Sequence, residues 1–161
     1  MHQIDYKNLN IPEPIEAIDN WDVTSRNDFD LKKAQETILP YRINLNNYKS
    51  THLNISKALC HNDLSGSNLL LNTEKDNVLS GIIDFGNTVV MPKYQDFFPL
   101  YKIARKLAID TLAEYNKITS YPIEQRQIDF MVLSYIGFGL AQSKDGSSPY
   151  FLKLLQPFLE E

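Results

Sequence analysis

The sequence predicts a mostly helical α+β fold, and three observations indicate it. Short apolar runs separated by turn-forming residues occupy the centre of the chain, over 57–60, 68–71 and 78–83. After Pro92 the apolar residues recur at helical spacing. The 161 residues are 43% hydrophobic and 22% charged, which is enough to bury one core. With no internal repeat and no linker-like stretch, we expect residues 1–161 to form a single domain.

The elements of the first half follow from local signals. The first twenty residues predict a loop, because Pro12 and Pro14 interrupt any helix. A helix is predicted over 30–38, and a second helical stretch over 44–57. The three apolar runs predict short strands, and the last two are joined by a hairpin turn over 73–77.

Helices are predicted to follow the strands. One apolar helix face is formed by Phe97, Leu100, Tyr101, Ala104 and Ala108. The stretch 128–141 is apolar almost all round, so we expect it to be the central buried helix. A short last helix is predicted to end near Phe158.

Composition and charge exclude several classes of function. A net charge of −4 argues against the large basic face that binds nucleic acid. No apolar stretch approaches the ~18 residues of a membrane span, and the first residues lack the pattern of a signal peptide. The single cysteine, Cys60, cannot form an internal disulfide, and we expect it to be buried and structural. The sequence therefore predicts a cytoplasmic protein with neither a nucleic-acid nor a membrane partner.

The acidic residues are concentrated in the middle of the chain. Residues 58–97 contain two basic and five acidic side chains, whereas the flanking segments are close to neutral. Carboxylates clustered between apolar strands indicate a cation site. His2 and His52 have no Cys, His or acidic partner at metal-ligand spacing, so we expect both to be surface or packing residues. We expect Trp21 to be an aromatic residue of the core or of a lid.

Two motifs near the strands carry the chemistry. His61, Asp63 and Asn68 form the pattern H-x-D-x-x-x-x-N, and the last strand is followed by Asp84-Phe85-Gly86. Asp and Asn are also common turn formers, but the pair of motifs at this separation is more specific than either alone. The pair resembles the catalytic loop and metal loop of protein kinases. With H-N-D and G-I-I-D-F-G, it is most similar to aminoglycoside phosphotransferases and choline-kinase-like small-molecule kinases.

The resemblance implies a role for each matching residue. Phosphoryl transfer builds charge on the transferring group, so positioning and divalent cations dominate its catalysis. Asp63 would orient or deprotonate the hydroxyl of a small-molecule substrate, and His61 would brace the catalytic loop. Asn68 and Asp84 would bind Mg²⁺, with ATP or GTP as the phosphate donor. An aminoglycoside antibiotic is the first acceptor that the resemblance implies, while choline, homoserine and a macrolide stay open.

Two further predictions concern acidic residues outside the motifs. Asp96 matches a family position whose carboxylate braces the catalytic loop, but it is equally interpreted as a helix N-cap. Four later acidic residues could line a pocket for a polyamine-like substrate, although a solvated helix face is the better interpretation. They are Asp110, Glu114, Glu124 and Asp129.

Two parts of a complete kinase of this type are not visible in the sequence. No glycine precedes Gly66, so no Gly-rich phosphate loop comes before the motifs, and no lysine lies in an apolar strand there. The resemblance therefore covers a protein-kinase-like carboxy-terminal lobe, with the amino-terminal nucleotide lobe expected elsewhere or in a partner chain. Three hypotheses follow: an incomplete small-molecule kinase, a non-catalytic remnant or substrate-binding module, and a metal-dependent hydrolase that uses Asp63, Asn68 and Asp84.

Overall fold

The computed structural model describes residues 31–48, 57–143 and 148–160, and the chain divides into two compact units. The described part of the first unit is 57–123, called here the strand unit. That of the second is 31–48, 124–143 and 148–160, called the helical unit. The predictions for the first twenty residues, His2, Trp21 and His52 lie outside the described residues. The single-domain organisation of residues 1–161 stays a prediction.

The strand unit contains two small antiparallel sheets. Strand β1 (Lys57–Cys60) pairs with β4 (Val89–Pro92), and β2 (Leu69–Asn72) pairs with β3 (Val78–Ile82). The three predicted strands are confirmed, whereas β4 was not predicted. Its Val-Val-Met sequence is too short to show a period, and only its pairing with β1 identifies it as a strand.

The β2–β3 hairpin turns as its sequence predicts. Asp76 and Asn77 both adopt the left-handed conformation, with φ of 50° and 58°. Asp and Asn enter this region more readily than other residues that have a side chain beyond Cβ. The turn therefore follows from local residue chemistry.

Two helices follow β4 where the sequence predicted one continuous apolar face. A short 3₁₀ turn (Lys93–Asp96) leads into α2 (Phe97–Ile103), and α3 (Arg105–Ile118) follows. Ala104 between them is extended, with φ −161° and ψ 132°. The prediction of one face through Ala104 is therefore wrong, because the extended residue is exposed and separates two helix axes. The buried apolar side chains of this unit include Tyr94, Phe97, Tyr101, Ala108 and Leu112.

The helical unit is built around one buried helix. α4 (Gln125–Gln142) packs against α1 (Leu31–Ile38), and α5 (Pro149–Leu159) also packs on it. Most side chains of α4 are buried, as its apolar sequence predicted, and a Glu124–Gln127 capping box begins it.

The predicted helical stretch over 44–57 is wrong in the part that the structure describes. Leu45–Asn47 forms only a single 3₁₀ turn, and Lys57 already belongs to β1. The Asn44 side chain accepts a hydrogen bond from the Asn46 backbone N–H, a local bond that competes with helix formation.

The described residues are mostly helical with two small sheets, which confirms the α+β class. Among those residues, no helix has the length and hydropathy that crossing a membrane requires.

Candidate active site

The buried carboxylate of Asp96 holds the backbone of the predicted catalytic loop. Its Oδ2 accepts a hydrogen bond from the His61 backbone N–H at 3.0 Å, and its Oδ1 accepts one from the Asn62 backbone N–H at 2.9 Å. Asp96 precedes α2 but makes no side-chain capping bond to that helix. The structure thus favours the brace over the N-cap as the role of Asp96.

A left-handed residue makes this double contact possible. Asn62 has φ of 65°, which turns the chain directly after His61. The backbone N–H groups of both residues then point at one carboxylate, and each is satisfied by a charged acceptor. Asn is among the residues that enter this conformation most readily, so the H-N-D sequence suits the turn.

His61 is fully buried and uses both ring nitrogens for structure. Its Nδ1 lies 3.3 Å from the Asp63 backbone N–H, which donates to it. Its Nε2 lies 2.8 Å from the Ile83 carbonyl oxygen, so the proton must be on Nε2. The ring also contacts Phe85, with centroids 4.8 Å apart. His61 is therefore a positioning residue for both loops.

Asn68 makes a second link between the two loops. Its side-chain Nδ2 donates to the Asp63 carbonyl oxygen at 2.9 Å, and its backbone oxygen accepts from the Ile83 N–H at 3.1 Å. The residue is buried, with 7% of its surface exposed. Because the amide nitrogen is engaged, the side-chain oxygen is the atom that Asn68 can offer to a cation.

Asp84 lies just beyond β3 in a strained backbone conformation. It is exposed, and its φ of 62° and ψ of 65° are left-handed. A 3₁₀ turn over Phe85–Asn87 follows at once. A Cβ atom at Gly86 would lie 3.4 Å from Asp84 Oδ1, an ordinary van der Waals contact. Non-glycine residues in this region are enriched at functional sites, because such strain persists only where the surrounding structure holds it.

The donor set fits Mg²⁺ better than a softer metal. Asn68 and Asp84 supply amide and carboxylate oxygens, which hard cations prefer, and Mg²⁺ keeps several waters besides a few protein ligands. Among the described residues, no group of three or more His, Cys, Asp or Glu side chains gathers where it could hold a metal.

Cys60 is buried next to this site but has a structural environment. Its Sγ lies 3.6 Å from the carbonyl oxygens of Met91 and Pro92 on the paired strand. Burial, with a smaller contribution from the Asp96 charge, raises the pKa of the Cys60 thiol well above its ordinary value. The thiol is therefore neutral and a weak nucleophile, as the sequence predicted.

The four later acidic residues differ in their local surroundings. Three of them make exposed ion pairs with neighbouring basic residues: Asp110 with Lys106, Glu114 with Lys117, and Glu124 with Arg126. These three support the prediction of solvated helix faces. Asp129 differs, because it is buried and accepts a hydrogen bond from Gln125.

Sequence reasoning did not identify Ile83 as part of the site. Its backbone oxygen and N–H join His61 and Asn68, yet its side chain is exposed. A backbone role of this kind leaves no residue-type signal, and only its place directly before Asp84 could have suggested it.

Comparison with known proteins gives one match that covers most of the chain. The model of the family described as "Phosphotransferase enzyme family" matches residues 5–122. The matched range includes both motifs and Asp96, and it ends within the strand unit.

Proposed function

The chain belongs to the phosphotransferase enzyme family, and on that premise we propose that it serves nucleotide-dependent phosphoryl transfer to a hydroxyl of a small molecule. One observation carries the proposal. The loop with Asp63 and Asn68 is joined to the segment before Asp84 by two hydrogen bonds, both made by the Ile83 peptide groups. Phosphoryl transfer depends on fixed relative positions of the catalytic carboxylate and the metal-binding groups. The two bonds help to fix the positions of the segments that carry these groups.

Each residue has a distinct part in the proposed reaction. The acceptor oxygen attacks the γ-phosphorus of the nucleotide, the bond from that phosphorus to the β-phosphate oxygen breaks, and a nucleoside diphosphate leaves. Asp63 orients the acceptor hydroxyl and takes its proton. His61 and Asp96 hold the backbone on either side of Asn62, so Asp63 keeps its place.

Asn68 and Asp84 would hold Mg²⁺, which supplies positive charge against the phosphate oxygens. The exposure of Asp84 supports this part of the proposal, since a cation can reach this residue from solvent. The donor is ATP or GTP. The distinction between them depends on the base pocket, which the motifs do not include.

An aminoglycoside-type antibiotic is the acceptor that we propose first. What supports it is the resemblance of the H-N-D and G-I-I-D-F-G segments to aminoglycoside phosphotransferases. We further propose that the chain works in the cytoplasm as a protein-kinase-like carboxy-terminal lobe. The support is that the two motifs resemble the catalytic loop and the metal loop of that lobe.

Calorimetric titration of the 161-residue chain with MgATP and MgGTP tests the proposal. We expect measurable binding that Asp84→Ala abolishes. The matched control is Asp76→Ala, because Asp76 is also an exposed aspartate in the left-handed conformation and belongs to the hairpin turn. Binding that survives Asp84→Ala, or that both variants weaken equally, would contradict the assigned metal site. No binding of either nucleotide would contradict nucleotide-dependent transfer by this chain alone and would favour an incomplete kinase or a non-catalytic module.

A further inference from the structure

The strand unit contains an open cavity of about 400 Å³ beside the two motif loops. Leu64, which follows Asp63, lines it from the first loop, and Phe85, which follows Asp84, lines it from the second. Helices α2 and α3 supply most of the remaining walls. Pockets of this size hold small organic molecules in other proteins.

The lining is predominantly apolar and aromatic. Its main hydrophobic side chains are Leu64, Ile82, Phe85, Phe97, Leu100 and Tyr115. Three aromatic rings in one cavity provide faces and edges against which another ring can pack.

The polar groups of the lining are largely occupied. Both carboxylate oxygens of Asp96 accept backbone hydrogen bonds from the catalytic loop. Tyr115 has a hydrogen bond with the Thr119 side chain, and burial raises the pKa of Tyr115, which keeps its hydroxyl neutral. No Lys, Arg or His is among the described lining residues, and the Asp96 carboxylate would repel an anion. An uncharged occupant therefore fits the cavity better than an anion.

The cavity differs from the place where phosphoryl transfer is proposed. Asp63, Asn68 and Asp84 are not among its described lining residues, although their neighbours are. An acceptor hydroxyl must reach Asp63, so a molecule that contacts only the described lining residues is not held as an acceptor. It would instead contact the two loops through Leu64 and Phe85.

We propose that this cavity is a binding site for one small, uncharged aromatic compound of about two fused rings. The site is distinct from the acceptor and nucleotide sites, and its existence does not depend on the proposed phosphoryl transfer. Because an occupant would contact Leu64 and Phe85, it would act on the motif loops as an effector.

Methyl NMR of the full chain with 2-naphthol as probe tests the site. Ile82 and Ile118 line the cavity, whereas Ile128 and Ile136 are buried in α4 of the helical unit and serve as internal controls. We expect saturable shifts and intermolecular NOEs at the Ile82 and Ile118 methyl groups and none at the α4 methyl groups. The anion 2-naphthoate, of similar shape, should bind at least about tenfold more weakly because it places a charge near Asp96. NOEs confined to other methyl groups, or equal binding of the two probes, would overturn the proposal.

A filling variant tests the same site independently. Thr111→Phe puts a ring into the cavity wall on α3, and Ala113→Phe adds the same ring at an exposed position two residues along. We expect Thr111→Phe to weaken 2-naphthol binding at least tenfold and Ala113→Phe to leave it unchanged. Equal affinity of the two variants would refute the location. Should Thr111→Phe fail to fold, the NOE pattern of the unaltered chain still decides the matter.

The experiment also separates this proposal from the proposed function. Asp84→Ala alters the metal site but no lining residue, so it should bind 2-naphthol as the unaltered chain does. Loss of 2-naphthol binding in that variant would count against a separate cavity site. MgATP binding without 2-naphthol binding would reject the cavity site and leave the proposed phosphoryl transfer intact. Binding of 2-naphthol without MgATP binding would support the cavity site and count against the proposed phosphoryl transfer.

Discussion

The loop around His61 and the contact between α1 and α4 bury their backbones by opposite means. In the loop, Asp96 satisfies two backbone N–H groups, so polar partners compensate for burial. In the helix pair, the two backbones approach so closely that a Cβ atom on Gly137 would lie 2.5 Å from the Ala34 carbonyl oxygen. The loop should therefore be sensitive to the removal of atoms, and the helix pair to their addition.

The largest expected effect is on the rate of phosphoryl transfer, and it should leave the free energy of unfolding almost unchanged. In a preparation that transfers phosphate to kanamycin, Asp63→Asn should lower the rate at least about 100-fold, because the amide cannot take a proton. The measurement is phosphorylated product by mass spectrometry, with urea unfolding of the same variant. Asp76→Asn in the exposed hairpin turn is the matched control and should keep the full rate. Phosphate transfer at an unchanged rate in Asp63→Asn would contradict the assignment of Asp63 as the catalytic carboxylate.

Removing the Asp96 carboxylate should give the largest loss of stability in the loop. Asp96→Ala leaves the buried N–H groups of His61 and Asn62 without an acceptor, and we expect the free energy of unfolding to fall by about 3 kcal/mol. Urea unfolding followed by circular dichroism measures it. The control is Asp110→Ala, which loses only an exposed pair with Lys106 and should change stability by about 0.5 kcal/mol or less. Similar losses in both variants would show that the two buried contacts contribute little.

Adding one methyl group should damage the helix pair. Gly137→Ala places its Cβ against rigid backbone of α1, and we expect a loss of about 2 kcal/mol despite the better helix propensity of alanine. The matched control is Gly139→Ala in the same helix. Its Cβ would meet the Phe151 ring, a partly exposed side chain that can turn away, so a smaller loss is expected. If urea unfolding shows the order reversed, backbone proximity does not limit the α1–α4 contact.

The buried thiol beside the loop predicts a dependence on alkaline pH. Burial raises the pKa of Cys60 above its ordinary 9.0, so the unfolded chain loses the proton first as the pH rises. The contribution of Cys60 to the free energy of unfolding is fully present below pH 9. Above pH 9 this contribution falls by up to about 1.4 kcal/mol per pH unit. The free energy of unfolding of the native chain should thus decrease more steeply between pH 9 and 10 than that of Cys60→Ala. Parallel curves for the two chains would mean that the thiol is not protonated preferentially in the fold.

The smallest expected change in the free energy of unfolding concerns the β2–β3 hairpin turn, whose shape follows from local residue chemistry. Asn77→Gly should raise the free energy of unfolding by about 0.5 kcal/mol, since glycine adopts its φ of 58° without a Cβ penalty. The same exchange at Asn62 should give a similarly small change. Asn62 has a similar φ, and its bond to Asp96 is made by the backbone N–H, which glycine keeps. A loss above 1 kcal/mol at Asn77 would mean that its side chain does more than tolerate the turn.

Local patterns were sufficient for most of the elements and for naming the candidate site residues. The apolar run before the hairpin predicted β1, and the apolar runs on either side of the hairpin turn predicted β2 and β3. The nearly all-apolar stretch 128–141 predicted the buried α4. These signals work because side-chain period and turn chemistry act over a few neighbouring residues. The motif residues could be named for the same reason, since their spacing is written along the chain.

Contacts between distant residues decided what those patterns could not. The pairing of β4 with β1 joins residues that are about thirty positions apart, and the same pairing places Lys57 in a strand. Asp96 was equally consistent with a cap and a brace until its two acceptor contacts, over 34 and 35 residues, were seen.

The sequence by itself thus identified the side chains that we propose for phosphoryl transfer, because the residue types and spacing of the two motifs can be read along the chain. Only the tertiary structure decided how they are held. Ile83 joins the loops through backbone groups that every residue possesses, and the cavity beside Leu64 and Phe85 exists because two helices leave space against them. Neither feature has a residue-type signal, since both arise from where the backbone passes in space.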